Sequence, residues 1–307
     1  MATVEGPILR VDTLTKVFGH RSPVTAVSDL SFEVQPGRVT GFLGPNGSGK
    51  TTTLRCLLGL VRPTSGGTLI GDTPYPDLRQ PTRSVGAALE ASGFHPGRTG
   101  RNHLRVLAAA ERLPDSRVDQ VLEMVGLTDA ARRRVVEYSL GMRQRLALAA
   151  ALLSDPAALV LDEPANGLDP EGMAWLRSLL RSLAAEGRTV LVSSHVLSEV
   201  QQTVDDVVII DRGRLVRAGA LDQIAGPGAS RIVVRSPQAE SLAAALGRRH
   251  PGRAVVEPQA DGSLLVRGLS AEQIGALAFA EGVELHELAT RSDGLEDVFL
   301  ELTGGQG

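Results

Sequence analysis

The chain is poor in cysteine, lysine, aromatic rings and long apolar runs, and each shortage excludes a class of protein. Cys56 is the only cysteine in 307 residues, so no intrachain disulfide framework can form and a reducing cytoplasm is the expected compartment. The longest apolar stretch, Leu146 to Leu153, ends at Ser154-Asp155-Pro156. It falls far short of the roughly 18 apolar residues that a membrane span needs, so any work at a membrane requires another chain to cross it. The opening residues, Met1 to Pro7, lack a basic cluster followed by an apolar core, and no export signal is expected there. A net charge of −3 and a pI near 6.1 leave no basic footprint for a nucleic-acid polymer. Lys16 and Lys50 are the only lysines, and all other basic residues are arginine.

What is present is ordinary for a folded protein: 42% hydrophobic and 22% charged residues, in a length that suggests about two domains at roughly 150 residues each. Ile8 to Val11 and Thr25 to Val34 read as strands, and Pro36-Gly37 closes the second with a turn. A buried strand, Val39 to Leu43, precedes a glycine-rich turn, Gly44 to Gly49. From Lys50 to Leu60 the leucines at 54, 57 and 58 follow helical spacing.

From about 81 to 153 the pattern is helical, with helices expected near Gly100 to Arg112, Ser116 to Val125 and Met142 to Leu153. Strands return at Ala158 to Leu161 and Thr189 to Val192, separated by a helix near Glu171 to Glu186. That alternation predicts a largely parallel α/β sheet with a helical subdomain inserted into it. Val207 to Ile210 and Arg214 to Ala218 read as an edge hairpin.

The breaker cluster Gly226 to Ser230 divides the expected domains, 1–225 and 226–307. Beyond it the predicted order is strand Arg231 to Arg235, helix Ala239 to Arg249, strands Ala254 to Glu257 and Ser263 to Arg267, helix Ala271 to Glu281, strand Glu284 to Ala289. A final helix runs from Leu295 to Leu302. This β-α-β-β-α-β series describes a small α+β, ferredoxin-like unit. It holds no phosphate loop, metal cluster or nucleophile constellation. The final helix has an apolar face that either packs within the domain or docks on another subunit.

Gly44-Pro45-Asn46-Gly47-Ser48-Gly49-Lys50-Thr51 matches G-x-x-x-x-G-K-[ST] between a strand and a helix. The glycines turn backbone N–H groups around phosphates, Lys50 offsets β- and γ-phosphate charge, and the Thr51 hydroxyl is a ligand for Mg²⁺. Ala158 to Leu161 is an apolar strand running into Asp162-Glu163, at the strand end where α/β sheets bind ligands. Asp162 is the expected holder of Mg²⁺, and Glu163 the expected base that polarises the attacking water. An acidic solvated turn is the bland reading of such a pair; the phosphate loop outweighs it.

With these motifs in view the chain resembles the nucleotide-binding subunit of an ATP-binding cassette (ABC) transporter, over nearly its whole length. The family's signature loop, L-S-G-G-Q, is met by Tyr138-Ser139-Leu140-Gly141-Met142, followed by Arg143-Gln144-Arg145. Ser139 and Gly141 keep the phosphate-facing positions, although Ser139 also reads as a helix N-cap. Leu140 and Met142 depart from the consensus, as in the drug and bacteriocin self-resistance branch of exporters. Ala165 to Asp169 matches the D-loop, and Ser193-Ser194-His195 the switch histidine. The resemblance implies that Phe18 stacks on adenine, against a plain core role. It also implies that Gly44, Pro45, Asn46, Gly47, Ser48, Gly49, Lys50, Thr51, Thr52, Ser139, Gly141 and Asp169 contact ATP. The catalytic set it implies is Glu163, His195 and Lys50.

Glu90 stands where the family usually has a glutamine that touches Mg²⁺ and the water, a substitution shared with the bacitracin-resistance type; it is implied at the ATP site as a carboxylate that can still ligate Mg²⁺, with an ordinary solvated acid as its other reading. The expected architecture is therefore α/β: a P-loop ABC ATPase core with an antiparallel β subdomain and an inserted helical subdomain, then an accessory domain of the daunorubicin-resistance type. Leu295 to Leu300 resembles that domain's closing motif. The implied assembly is a homodimer of cassettes binding ATP with Mg²⁺, cytoplasmic and peripheral on the inner face of the cell membrane, powering a separate permease that exports a drug, antibiotic or other amphipathic substrate. A single phosphate loop argues against the paired cassettes of translation ATPases, and the lack of sustained heptads against DNA-repair ATPases. A regulatory or docking ATPase without transport shares every motif.

Overall fold

The computed structural model describes residues 5–19, 21–89, 93–196, 200–225, 230–252, 254–259 and 261–292. It divides into two compact units, Met1–Ala220 and Leu221–Gly307. Among the described residues the first unit carries nine strands: β1 (Leu9–Phe18), β2 (Val24–Val34), β3 (Val39–Leu43), β4 (Ser65–Ile70), β5 (Val85–Ala88), β6 (Ala158–Leu161), β7 (Thr189–Ser194), β8 (Asp206–Asp211) and β9 (Arg214–Ala220). β2, β1 and β4 form an antiparallel sheet, with β1 in the middle. The other six lie in the order β5-β6-β7-β3-β8-β9, all parallel except β9, which turns back on β8. β3, β6 and β7 are buried at every residue, which is why none of them alternates apolar with charged residues.

The two sheets share one core. Leu9, Leu14 and Leu30 from the antiparallel sheet pack with Phe42, Val160 and Ile210 from the parallel one. Phe32 and Phe42 meet across it with ring centroids 5.1 Å apart, a spacing that adds to the area both rings bury. The helix Lys50–Leu57 presses Leu54, Cys56 and Leu57 into the same core. Burial pushes the Cys56 thiol above its ordinary range, with Lys16 a smaller opposing influence. Since the thiolate is the reactive form, a maleimide should label Cys56 slowly in the native protein and completely after denaturation. Stoichiometric labelling of native protein within minutes, read by mass spectrometry, would contradict this packing.

Two strands depart from the sequence reading. The stretch expected to be helical from 81 does open with a short helix, Pro81–Ser84, but β5 follows it directly and the longer helices of the inserted subdomain begin at Gly100. Val-Gly-Ala-Ala has weak strand propensity, and pairing with β6 overrides it. Gly86 is obligatory there, because a Cβ would stand 2.0 Å from the carbonyl oxygen of Ala151. β4 carries two glycines, which hid it for the same reason of propensity. The inserted helices are Gly100–Ala110, Asp115–Met124 and Leu140–Leu152, the first capped by Thr99 and the last by Ser139. Helix Pro170–Ala185 is capped by Asp169.

The second unit begins with the short helix Leu221–Ala225, so the division falls before the Gly226–Ser230 cluster, of which 226–229 lie outside the described residues. Its strands are β10 (Ser230–Arg235), β11 (Val255–Pro258), β12 (Leu264–Arg267) and β13 (Glu287–Ser292), in the antiparallel order β11-β12-β10-β13. Helices Ala239–Arg249 and Ala271–Ala280 make the two crossovers, giving a split βαβ arrangement. Leu242, Leu246, Ile274 and Val266 fill its core.

β13 runs three residues later than the expected Glu284 to Ala289. The Ser236 hydroxyl donates to the Glu284 carbonyl, and the Glu284 N–H donates to Gln238 Oε1. These bonds hold the chain outside the ladder until Glu287 pairs with Arg235. The expected helix Leu295 to Leu302 lies outside the described residues.

Candidate ATP-binding site

The parallel sheet brings its strand ends together, and the site is built there. β3 ends at Leu43 and the chain turns through Gly44–Gly49 into helix Lys50–Leu57. That helix has no side-chain cap: its N-cap is Gly49 at φ +103°, and a Cβ on Gly49 would stand 2.4 Å from the Ala26 carbonyl oxygen. Its first N–H groups are thus left for an anion, at the positive end of the helix dipole. Ser48 Oγ is buried without a partner among the described residues. Lys50, almost fully buried, donates from Nζ to the carbonyls of Gly44 at 2.6 Å and Pro45 at 3.2 Å, and lies 3.5 Å from Glu163 Oε1. Thr52 lies on the first turn of the helix.

Opposite the loop stand the carboxylates. Leu161 pairs with Val192, so the next residues, Asp162 and Ser193, fall side by side. The Ser193 hydroxyl donates to Asp162 Oδ1 and accepts the Glu163 N–H at 2.9 Å. The Thr51 hydroxyl donates to Asp162 Oδ2 at 2.7 Å. His195 Nδ1 lies within hydrogen-bonding distance of Glu163 Oε2, at 2.8 Å. Glu163 itself has a left-handed backbone, φ +50°, rare for a long side chain.

Lys50, Thr51, Asp162, Glu163 and His195 therefore converge. Beside the two carboxylates opens a cleft of about 680 Å³, lined also by Gln144, Arg143, Phe94 and Leu140. Ser139, Gly141 and Asp169 line a separate cavity of about 450 Å³. In it Ser139 is an N-cap, its hydroxyl accepting the Met142 N–H at 3.2 Å. Phe18 is 43% exposed at the end of β1, with Lys16 Nζ 4.9 Å from its ring centroid. The exposure argues against the core role weighed from sequence. Glu90, two residues beyond β5, lies outside the described residues.

Three contacts around these residues escape the sequence reading: Ser193 between the two acids, Lys16 beside the Phe18 ring, and Gln144, whose amide reaches the Glu163 carbonyl at 3.0 Å. Only Ser193 has a usable signal, since its place two residues before His195 on a parallel strand puts it level with the end of β6.

Residues 27–166 match the model of the ABC transporter family. Over 303 residues the chain is 36% identical to the bacitracin transport ATP-binding protein BcrA of Bacillus licheniformis, covering 97% of this chain and 98% of that one.

The chain belongs to the ABC transporter family.

As an ABC cassette it binds ATP and hydrolyses it. The lantibiotic transport ATP-binding protein SrtF of Streptococcus pyogenes is 34% identical over 209 residues, covering 68% of this chain and 89% of that protein. Among solved structures, an ATP-binding subunit of an ABC transporter superposes with a TM-score of 0.63 at 27% identity, covering 71% of this chain and 91% of that one. Residues 230–296 match a domain of unknown function. Among the described residues no helix is long and apolar enough to cross a membrane.

Proposed function

We propose that this cassette works as one of a pair on the inner face of the cell membrane, where it powers a separate permease that exports a peptide antibiotic or other amphipathic substrate. The observation that carries the reading is the near end-to-end similarity to the bacitracin transport protein, which runs through the second unit as well as the first. In each site the Gly44–Thr51 loop cradles the phosphates and Lys50 exchanges its loop carbonyls for β- and γ-phosphate oxygens. The exposed ring of Phe18 stacks on adenine. Ser139 and Gly141 of one cassette face the phosphates held by the other.

The donor set suits Mg²⁺. Thr51 Oγ1 and Asp162 Oδ2 are hard oxygens 2.7 Å apart, and among the described residues no group of three or more His, Cys, Asp or Glu could build a metal cage. One carboxylate and a hydroxyl, completed by substrate phosphates and water, is the ligand pattern of that ion. When bound it would neutralise charge on the transferring phosphate. Glu163 orients and deprotonates the attacking water, while His195 holds the Glu163 carboxylate in place.

The test is resistance. The cassette and the multispan membrane protein encoded nearest to it are expressed together in a bacitracin-sensitive bacterium, and the minimal inhibitory concentration is measured. A rise that disappears with Lys50→Ala is expected. No change with an expressed, membrane-associated pair would overturn the peptide-antibiotic reading.

A further inference from the structure

The left-handed backbone of Glu163 needs external support, because a non-glycine residue persists at φ +50° only where its surroundings over-determine it. Three hydrogen bonds provide that support. Ser193 Oγ accepts the Glu163 N–H at 2.9 Å, and the Glu163 carbonyl accepts the Asn166 N–H at 3.2 Å and the Gln144 Nε2–H at 3.0 Å. Ser193 belongs to the core strand β7, and Asn166 to the turn that Glu163 itself begins. Gln144 alone of the three comes from the inserted helical subdomain, on helix Leu140–Leu152, five residues from its cap Ser139.

The same helix meets β5 where Gly86 lies against the Ala151 carbonyl, a contact with little room for a side chain to cushion movement. A tilt of the helix against the sheet therefore reaches the Glu163 carbonyl directly through the Gln144 amide. Glu163 has little slack: its carboxylate lies between His195 at 2.8 Å and Lys50 at 3.5 Å.

We propose that Gln144 is a positioning residue for ATP cleavage, whose amide fixes the Glu163 backbone so that the carboxylate reaches its working position only when the Ser139-capped helix is docked on the core. The inference rests on Glu163 being the base. It makes the placement of the signature helix, and hence whatever Ser139 and Gly141 engage, a condition for turnover.

The experiment uses the full chain with Mg-ATP. Gln144→Met keeps the length of the side chain and removes its donor. Turnover should fall about tenfold or more, in line with the cost of small misplacements in active sites, while KM for ATP stays within about twofold, the split expected when ground-state binding is untouched. In a Glu163→Gln background the same change should leave the residual rate within about twofold, since groups acting as a unit are not additive. If Gln144→Met does not fold, Gln144→Glu at pH 8, which presents no donor, should show the same split.

Wild-type turnover by these variants would overturn the inference, as would a rise in KM that matches the loss of rate. An equal fractional loss in the Glu163→Gln background would also overturn it. Near-normal hydrolysis by Glu163→Gln would overturn the base assignment and this inference together. An inactive Glu163→Gln beside a fully active Gln144→Met would overturn only the role of Gln144.

Discussion

Glu163→Gln is expected to lower steady-state ATP turnover by about 10² to 10⁴, the usual contribution of a positioned base, while leaving ATP binding intact. The amide keeps the shape of the side chain and its reach towards His195 at 2.8 Å, but it cannot take a proton from water. With hydrolysis blocked, the ATP-bound pair of cassettes should accumulate, visible as a shift to dimer in size-exclusion chromatography at saturating Mg-ATP. Lys50→Ala should instead weaken binding, because Lys50 places a cation against the carbonyls of the phosphate loop. Rapid hydrolysis by Glu163→Gln would reassign the base; a variant that remains monomeric would remove the ATP-clamped pair from the proposed cycle.

The second large effect is on stability. Phe42 is fully buried on β3, the strand that pairs with both β7 and β8 and leads directly into the phosphate loop. Phe42→Ala should cost about 3–5 kcal/mol, from lost transfer energy and the cavity left behind. For a unit of this size that lowers the midpoint of thermal unfolding by roughly 6–20 °C, at about 2–4 °C for each kcal/mol. Leu60→Ala, at an exposed position just past the helix, is the control and should change stability by no more than about 0.5 kcal/mol. Differential scanning calorimetry on the two variants checks the ranking; a Phe42→Ala midpoint within a degree or two of the Leu60→Ala value would contradict the packing of the shared core.

How much of the molecule is legible in its sequence follows from how local each feature is. The strand, glycine turn and helix around Lys50 are plain because all their determinants lie in one short run of chain. Asp162-Glu163 is plain because α/β sheets bind their ligands at strand ends, and an apolar run stopping at two acids marks such an end within a few residues. β5 is not, because nothing in Val85–Ala88 announces a strand until β6 lies beside it and Ala151 has come close enough to require Gly86. The same holds for Gln144. Its sequence neighbours account for a helix, but its bond to Glu163 depends on how that helix rests on a strand end 19 residues away. β13 is displaced for a related reason: two side-chain hydrogen bonds to Glu284 outweigh the local apolar pattern.

Arg145, the residue after Gln144, lies over the ring of Trp175 on the helix that follows Asp169, with its guanidinium carbon 4.4 Å from the ring centroid. Trp175 is the only tryptophan in the chain. The indole emission of the unmodified protein therefore comes from a single ring, and a cation rides over that ring on the helix that carries Ser139. Because the interaction weakens steeply with separation, intensity and wavelength will follow how closely the two helices are apposed. A stopped-flow fluorimeter can then read any change in the distance between the two helices when Mg-ATP is added, with no label and no engineered residue.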